Sequence, residues 1–255
     1  MNSDTSVVVH PEPAMVAQAA AARLIVRVVD AQAERGWASI VLTGGRIAAA
    51  IYSAVRDSPA RDAIDWRHLD VWWGDERFLP AGHPDRNDTQ ARAALLDAVP
   101  LDPARVHPMP FASDQDDPEA AAARYAEELA LAARPGTARL PHFDVLLLSV
   151  GEDGHVASVF PEHPAAYETR PVTAVRGAPK PPPVRLSLTL PAINSAEEIW
   201  LMAVGSEKAR AVAMALTGAG PVQLPAAGVH GVERTLWMLD RAAAEQVSPS
   251  TRTLR

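Results

Sequence analysis

Hydrophobic positions along the chain fall into two alternating periods. From Ala14 to Arg35 the sequence is Ala-rich, with Met15, Leu24 and Val28 at helical spacing, and the pattern stops at Gly36. This predicts a helix closed by a glycine able to turn the chain. The run Ala38 to Thr43 (ASIVLT) is short, apolar and rich in β-branched residues, meets Gly44-Gly45 and gives way to an Ala/Ile-rich stretch reaching Val55. That order reads as strand, tight turn, helix. The same grammar recurs at Leu69 to Trp73 before Gly74 and at Asp144 to Val150 before Gly151, with helical patterns over Asp88 to Ala98 and Glu119 to Ala133 between them. A fourth strand is expected at Val184 to Leu190, after the Pro-rich loop Pro179 to Pro183. A fifth is expected at Ile199 to Val204 before Gly205, with a helix over Glu207 to Leu216.

Strands that are near-continuous apolar runs, alternating with helices, imply a parallel sheet covered on both faces. The expected fold class is therefore α/β, a Rossmann-like parallel sheet flanked by helices, with residues 1–255 forming one domain. In such sheets ligands bind beyond the carboxyl ends of the strands. Segments 43–46, 74–77, 151–155 and 205–208 all contain glycine and all follow strand candidates, so they should gather on one rim. No internal repeat or long low-complexity tract interrupts the pattern, and Ala112 to Glu119 reads as an acidic surface loop.

Composition narrows the chemistry. The chain has 255 residues, 48% hydrophobic and 22% charged, and no apolar run approaches the roughly 20 residues of a membrane helix. The opening MNSDTSVVVHPEP lacks the basic start and apolar stretch of a secretory signal, so a cytoplasmic protein with no membrane partner is expected. With no cysteine, disulfides, thiolate zinc sites and a cysteine nucleophile are excluded. A formal charge of -7 argues against a nucleic-acid partner, which would need an extended basic surface. Any phosphate contact must be local.

Thr43-Gly44-Gly45-Arg46 places glycines where free backbone N–H groups and a helix N-terminus can hold phosphate, although a turn needing glycine for backbone geometry looks the same. It lacks the third glycine of a dinucleotide fingerprint and the Gly-Lys-Ser/Thr of a Walker loop. Trp73 to Pro80, continuing to His83 and Asn87, crowds Asp75, Glu76 and Arg77 beyond a strand. This is either a solvated ion-pair cluster or a site whose arginine grips phosphate or carboxylate. Gly151-Glu152-Asp153-Gly154-His155 sets a histidine beside two carboxylates. A neutral imidazole there can accept a proton from water, and a carboxylate can fix its tautomer. The segment has neither the His-x-x-x-His spacing nor the ligand count of a metal site. Ser158 lies outside any Gly-x-Ser-x-Gly elbow and reads as a helix-start or packing residue. Lys208 is either an exposed helix lysine or a phosphate contact; Arg185 is a similar but weaker candidate. Trp72 and Trp73 read as core and rim packing.

Taken together, VLTGGRIA (41–48), WWGDERFLPAGHPDRND (72–88), FDVLLLSVGEDGHVASVFPEHPA (143–165), PPPVRLSLTLPAIN (181–194), EIWLMAVGSEKARAV (198–212) and LPAAGVHG (224–231) resemble the 6-phosphogluconolactonase family across nearly the whole chain. The resemblance implies the α/β fold shared by sugar-phosphate isomerases and glucosamine-6-phosphate deaminases. It implies hydrolysis of 6-phospho-D-glucono-1,5-lactone to 6-phospho-D-gluconate, the second step of the oxidative pentose phosphate pathway, with a small phosphorylated sugar lactone as partner and no metal or other cofactor. His155 is then the base, oriented by Asp153 or, as second choice, Glu152, and Gly44, Gly45, Asp75, Arg77, Arg185 and Lys208 are the substrate-binding set. Many family members carry Ser-Thr-Pro after the two glycines, whereas this chain has Arg46-Ile47-Ala48, which shifts weight onto the backbone amides. Two other readings compete. A deaminase would continue past the histidine with Asn-Glu-Pro-Gly, not VASVFPEHPA. A sugar-phosphate sensor would need a DNA-binding module, for which the stretch before Ala38 is short. Oligomeric state stays open.

Overall fold

The computed structural model of the protein describes residues 4–113, 117–133 and 139–248. Its main sheet is built from β1 (Asp4–His10), β2 (Ala38–Leu42), β3 (Leu69–Trp73), β5 (Val145–Ser149), β8 (Glu198–Ala203) and β9 (Arg234–Asp240), in the order β1-β9-β8-β5-β2-β3. Every neighbouring pair in it is parallel, as continuous apolar strands require. Crossovers are helical: α1 (Pro13–Arg35) and α2 (Arg46–Asp57) flank β2, while α3 (Asn87–Ala94) and α4 (Pro118–Ala132) lie between β3 and β5. α6 (Ala209–Leu216) follows β8.

Alternation along the strands decides which helix each face meets. Ile40, Leu42 and Leu69 point toward Leu24 and Val28 of α1 and Tyr52 and Val55 of α2, while Trp72, on the opposite face, packs edge-on against Tyr125 of α4. Each such side chain, fully buried, contributes about 1.5–3 kcal/mol relative to exposure. Trp72 and Trp73 are both core residues. α1 ends where expected: Gly36 adopts φ 78° and returns its N–H to Gln32 O at 2.8 Å, a conformation that costs glycine little.

Four expectations need correction. The fourth strand, seen as β7 (Arg185–Leu188), does not join the parallel sheet. It lies in a second, antiparallel sheet of order β4-β7-β6, with β4 (Asp75–Arg77) and β6 (Val172–Val175). The chain leaves the main sheet at Gly74, whose N–H bonds Leu42 O while its carbonyl accepts from Leu188 N, so one glycine belongs to both sheets. Ahead of Ala38 the chain forms β1 as well as a helix, and this strand pairs along its whole length with β9, making the N-terminal stretch part of the sheet. The helix expected over Asp88 to Ala98 ends at Ala94 and is continued by a 3₁₀ turn, Leu96–Ala98. The expected acidic loop 112–119 lies partly outside the described residues, and its last two residues begin α4. A short helix α5 (Leu190–Ile193) connects β7 to β8.

Candidate active site

Because β2, β3, β5 and β8 run parallel, the segments after them emerge at one end of the sheet. There they line a cavity of about 320 Å³ whose walls include Gly44, Gly45, Asp75, Arg77, His155 and Lys208. Arg185 reaches the same cavity from β7, as does Lys180 from the Pro-rich loop.

The Gly44-Gly45 turn is held from below. Tyr52, buried in α2, donates its hydroxyl to Thr43 O (2.7 Å) and accepts from Thr43 N (3.0 Å), and Ser149 Oγ donates to Gly44 O at 2.9 Å. Gly45 has φ 102° and caps α2, a backbone that favours glycine and leaves the first amides of the helix facing the cavity. These amides and the positive end of the helix form an anion cradle. Arg46 stands at the helix start, exposed, and among the described residues no hydrogen bond or ion pair engages its guanidinium.

His155 sits on a loop that closes on itself: Gly151 N donates to His155 O (2.9 Å) and Gly154 N to Gly151 O (3.0 Å). A Cβ at Gly151 would come within 2.0 Å of His155 Nδ1, so glycine is what allows the imidazole to lie over this turn. Asp153 Oδ1 is 2.5 Å from His155 Nδ1 and also accepts the His155 backbone N–H at 3.2 Å. Burial works against the Asp153 charge, but the hydrogen bond and charge of His155 outweigh it and hold the carboxyl down at about 2. An ionised carboxylate only accepts, so Nδ1 carries a proton, and in the neutral imidazole the lone pair is on Nε2. Phe160 packs tilted against the ring at 4.6 Å.

Glu152 is not the orienting group. It lies 3.7 Å from Lys180 Nζ and 3.8 Å from Lys208 Nζ. Burial lowers the Lys208 pKa, opposed by Glu152, so this ammonium is partly desolvated and open to a stronger anion. Arg77 donates from Nη1 to Asp85 O at 2.5 Å and keeps a buried Nε without a partner; among the described residues it makes no ion pair. Arg185 is tied to the Pro-rich loop, Nη2 to Lys180 O (2.8 Å) and Nε to Pro182 O (3.2 Å), with Phe160 against its guanidinium at 5.5 Å. Burial lowers its pKa, against the pull of Asp75 and with the push of Arg77. Asp75 forms part of the wall, but its carboxylate already accepts from Ser158 Oγ (2.7 Å) and Asn87 Nδ2 (3.2 Å). Ser158 starts no helix; it is buried in the turn after His155.

The structure thus brings His155, Asp153, Gly44, Gly45, Asp75, Arg77, Arg185 and Lys208 to one place. It adds Lys180, Ser149 and Asn87, for which the sequence carried little signal: Lys180 sat inside a proline run, and Asn87 became significant only once α3 was seen to start there.

A parallel α/β sheet with an anion cradle at one helix N-terminus, cations around it and an oriented histidine opposite defines a sugar-phosphate-handling protein of the isomerase and lactonase type. Residues 11–237 match the family model described as glucosamine-6-phosphate isomerases/6-phosphogluconolactonase, and the chain belongs to that family. It is 62% identical to a 6-phosphogluconolactonase of Streptomyces coelicolor over 98% of this chain and 97% of the relative. It is 46% identical to that of Mycobacterium tuberculosis over 95% and 98%. The solved 6-phosphogluconolactonase of Trypanosoma brucei superposes with a TM-score of 0.81 at 29% identity, covering 97% of this chain and 100% of that one.

Proposed function

We propose that this chain is a cytoplasmic 6-phosphogluconolactonase that opens 6-phospho-D-glucono-1,5-lactone with His155 as general base. The observation that carries the mechanism is the pairing of His155 Nδ1 with ionised Asp153, which leaves Nε2 of the neutral ring as a proton acceptor at a cavity that the Gly44–Gly45 turn also lines. The 6-phosphate rests on the Gly44 and Gly45 amides, with Arg77 and Lys208 supplying charge; Arg185 shapes the wall through the Pro-rich loop. Water attacks the lactone carbonyl carbon as Nε2 takes its proton. The tetrahedral intermediate then collapses, the bond from that carbon to the ring oxygen breaks, and the imidazolium returns the proton to that oxygen, leaving a free hydroxyl and a carboxylic acid that releases water's second proton to solvent and becomes the gluconate carboxylate. Asp153 stabilises the imidazolium between the two steps.

Lactones are activated esters that hydrolyse slowly on their own, so positioning plus a base worth about 10² to 10⁴ in rate accounts for useful catalysis. The 46% and 62% relatives carry this activity by name, and the cysteine-free chain suits a reducing compartment. The test is His155→Ala assayed on freshly generated 6-phosphogluconolactone. Hydrolysis should fall to near the spontaneous rate, and full retention of activity eliminates the scheme.

A further inference from the structure

Asp75 lines the cavity and Ser158 is buried next to it, and their side chains are spent on each other. Ser158 Oγ donates to Asp75 Oδ2 at 2.7 Å, and Asn87 Nδ2 donates to Asp75 Oδ1 at 3.2 Å and to Asp75 O at 2.9 Å. Exposure is 0% for Ser158, 5% for Asp75 and 2% for Asn87, so water does not compete for these bonds. The orientation of the Asn87 amide is forced, because a flip would set its oxygen against two Asp75 oxygens. Its Oδ1 therefore faces the other way, against Gly44, where a Cβ would stand 1.9 Å from it. That oxygen has no hydrogen-bond partner; it fixes Gly44 by contact.

The chain Ser158–Asp75–Asn87–Gly44 thus runs along the cavity, which its last three members line. One end is three residues from His155, and the other is the phosphate cradle. Both ends are braced: Ser158 N donates to Ser187 Oγ on β7 (3.1 Å), and Asn87 N donates to Glu76 Oε1 (2.7 Å), which also accepts from Arg77 N (2.7 Å). We infer that Ser158, Asp75 and Asn87 are positioning residues that set the separation between the phosphate anchor and the His155 base, with Asp75 acting through its neighbours and not as a ligand of the substrate. This rests on the anchor and base assigned above.

Among the described residues the His155 ring bonds Asp153 and packs on Phe160, with no hydrogen bond to this chain, so cutting the chain leaves Asp153–His155 intact while letting the two halves of the site drift. A misplacement of about 1 Å can cost up to 10² in rate; loss of one of several braces should cost about tenfold. The experiment measures kcat and KM for 6-phosphogluconolactone, the inhibition constant of inorganic phosphate, and the NMR titration of the His155 ring, in Ser158→Ala and Asn87→Ala. The expected result is a kcat drop of about tenfold in each, with KM, phosphate inhibition and the His155 titration within about twofold of the parent. A KM and a phosphate inhibition constant that rise together at unchanged kcat overturn the inference, because Asp75 or Asn87 would then belong to the anchor; unchanged kinetics overturn it too. If Ser158→Ala does not fold, Asn87→Ala severs the same chain from the other side. Failure of the base assignment is separately visible, since His155→Ala would then remain active.

Discussion

At the amino ends of β2, β5 and β8, Asp144 accepts from Arg35 and from Ser39 N (2.8 Å), while Glu197 and Glu198 take Arg27 at 2.5 and 3.2 Å. His142 lies 3.1 Å from Glu197. Around the cavity beyond the carboxyl ends of the sheet, Arg46 and Arg77 meet no carboxylate among the described residues, and Lys180 and Lys208 share Glu152 at long range. Charge that is matched within the chain serves the fold, and charge left over faces the cavity. His142, Asp144 and Glu197 do stand close enough together to suggest a metal triad, but two guanidiniums already hold their oxygens, and the group is an ion-pair network bracing the sheet. The contrast also explains how a protein of net charge -7 can hold a phosphate, because the acidic excess lies elsewhere on the chain.

The comparison predicts effects of different kinds at the two ends. Asp144→Asn should give the largest, about 1.5–3 kcal/mol of lost stability in denaturant unfolding, because it removes the fully buried charged acceptor that Arg35 and Ser39 N bond; kcat of the surviving folded fraction should not change. Asp153→Asn, at the other end, should leave stability nearly untouched and lower kcat by about 10- to 100-fold, the worth of a hydrogen bond to a charged group. Lys208→Met should raise KM about tenfold with little effect on kcat, and this rise should shrink as salt is added. The smallest effect is a pH dependence. Proximity to Asp144 and Glu197 raises His142 to about 9, above its usual value near 6.5. Its contribution is therefore complete below about 6.5 and lost as pH rises through 9. With its pairs imperfectly aligned, about 1 kcal/mol should disappear between pH 7 and 9.5 and be absent in His142→Gln, as read by thermal unfolding across pH.

Much of this was legible beforehand where local pattern decides structure. The apolar runs before Gly44, Gly74, Gly151 and Gly205 fixed four parallel strands and the rim they share, and the pairing of Asp153 with His155 was readable because it spans two residues. What escaped depended on distant partners. The strand character of β7 was visible, but not its sheet, since Leu186 and Leu188 would suit either one; the choice was made by β4 and β6. β9 carried an apolar run, Thr235–Leu239, that could have been read, whereas β1, being an edge strand, showed it only in its second half. Asp75 was read as a substrate ligand from its neighbours in sequence. The hydrogen-bond partners that hold its carboxylate, Asn87 and Ser158, lie 12 and 83 residues away.

The central claim, that the carboxyl-end cations and His155 form one machine for a phosphorylated lactone, is tested most directly by comparing two substrates. Purified protein is added to freshly generated 6-phosphoglucono-1,5-lactone and, in parallel, to the unphosphorylated lactone, and the disappearance of each is followed against its spontaneous rate. Acceleration of the phosphorylated lactone alone is the predicted result. Equal acceleration of both would contradict the anchor, and acceleration of neither would contradict the enzyme.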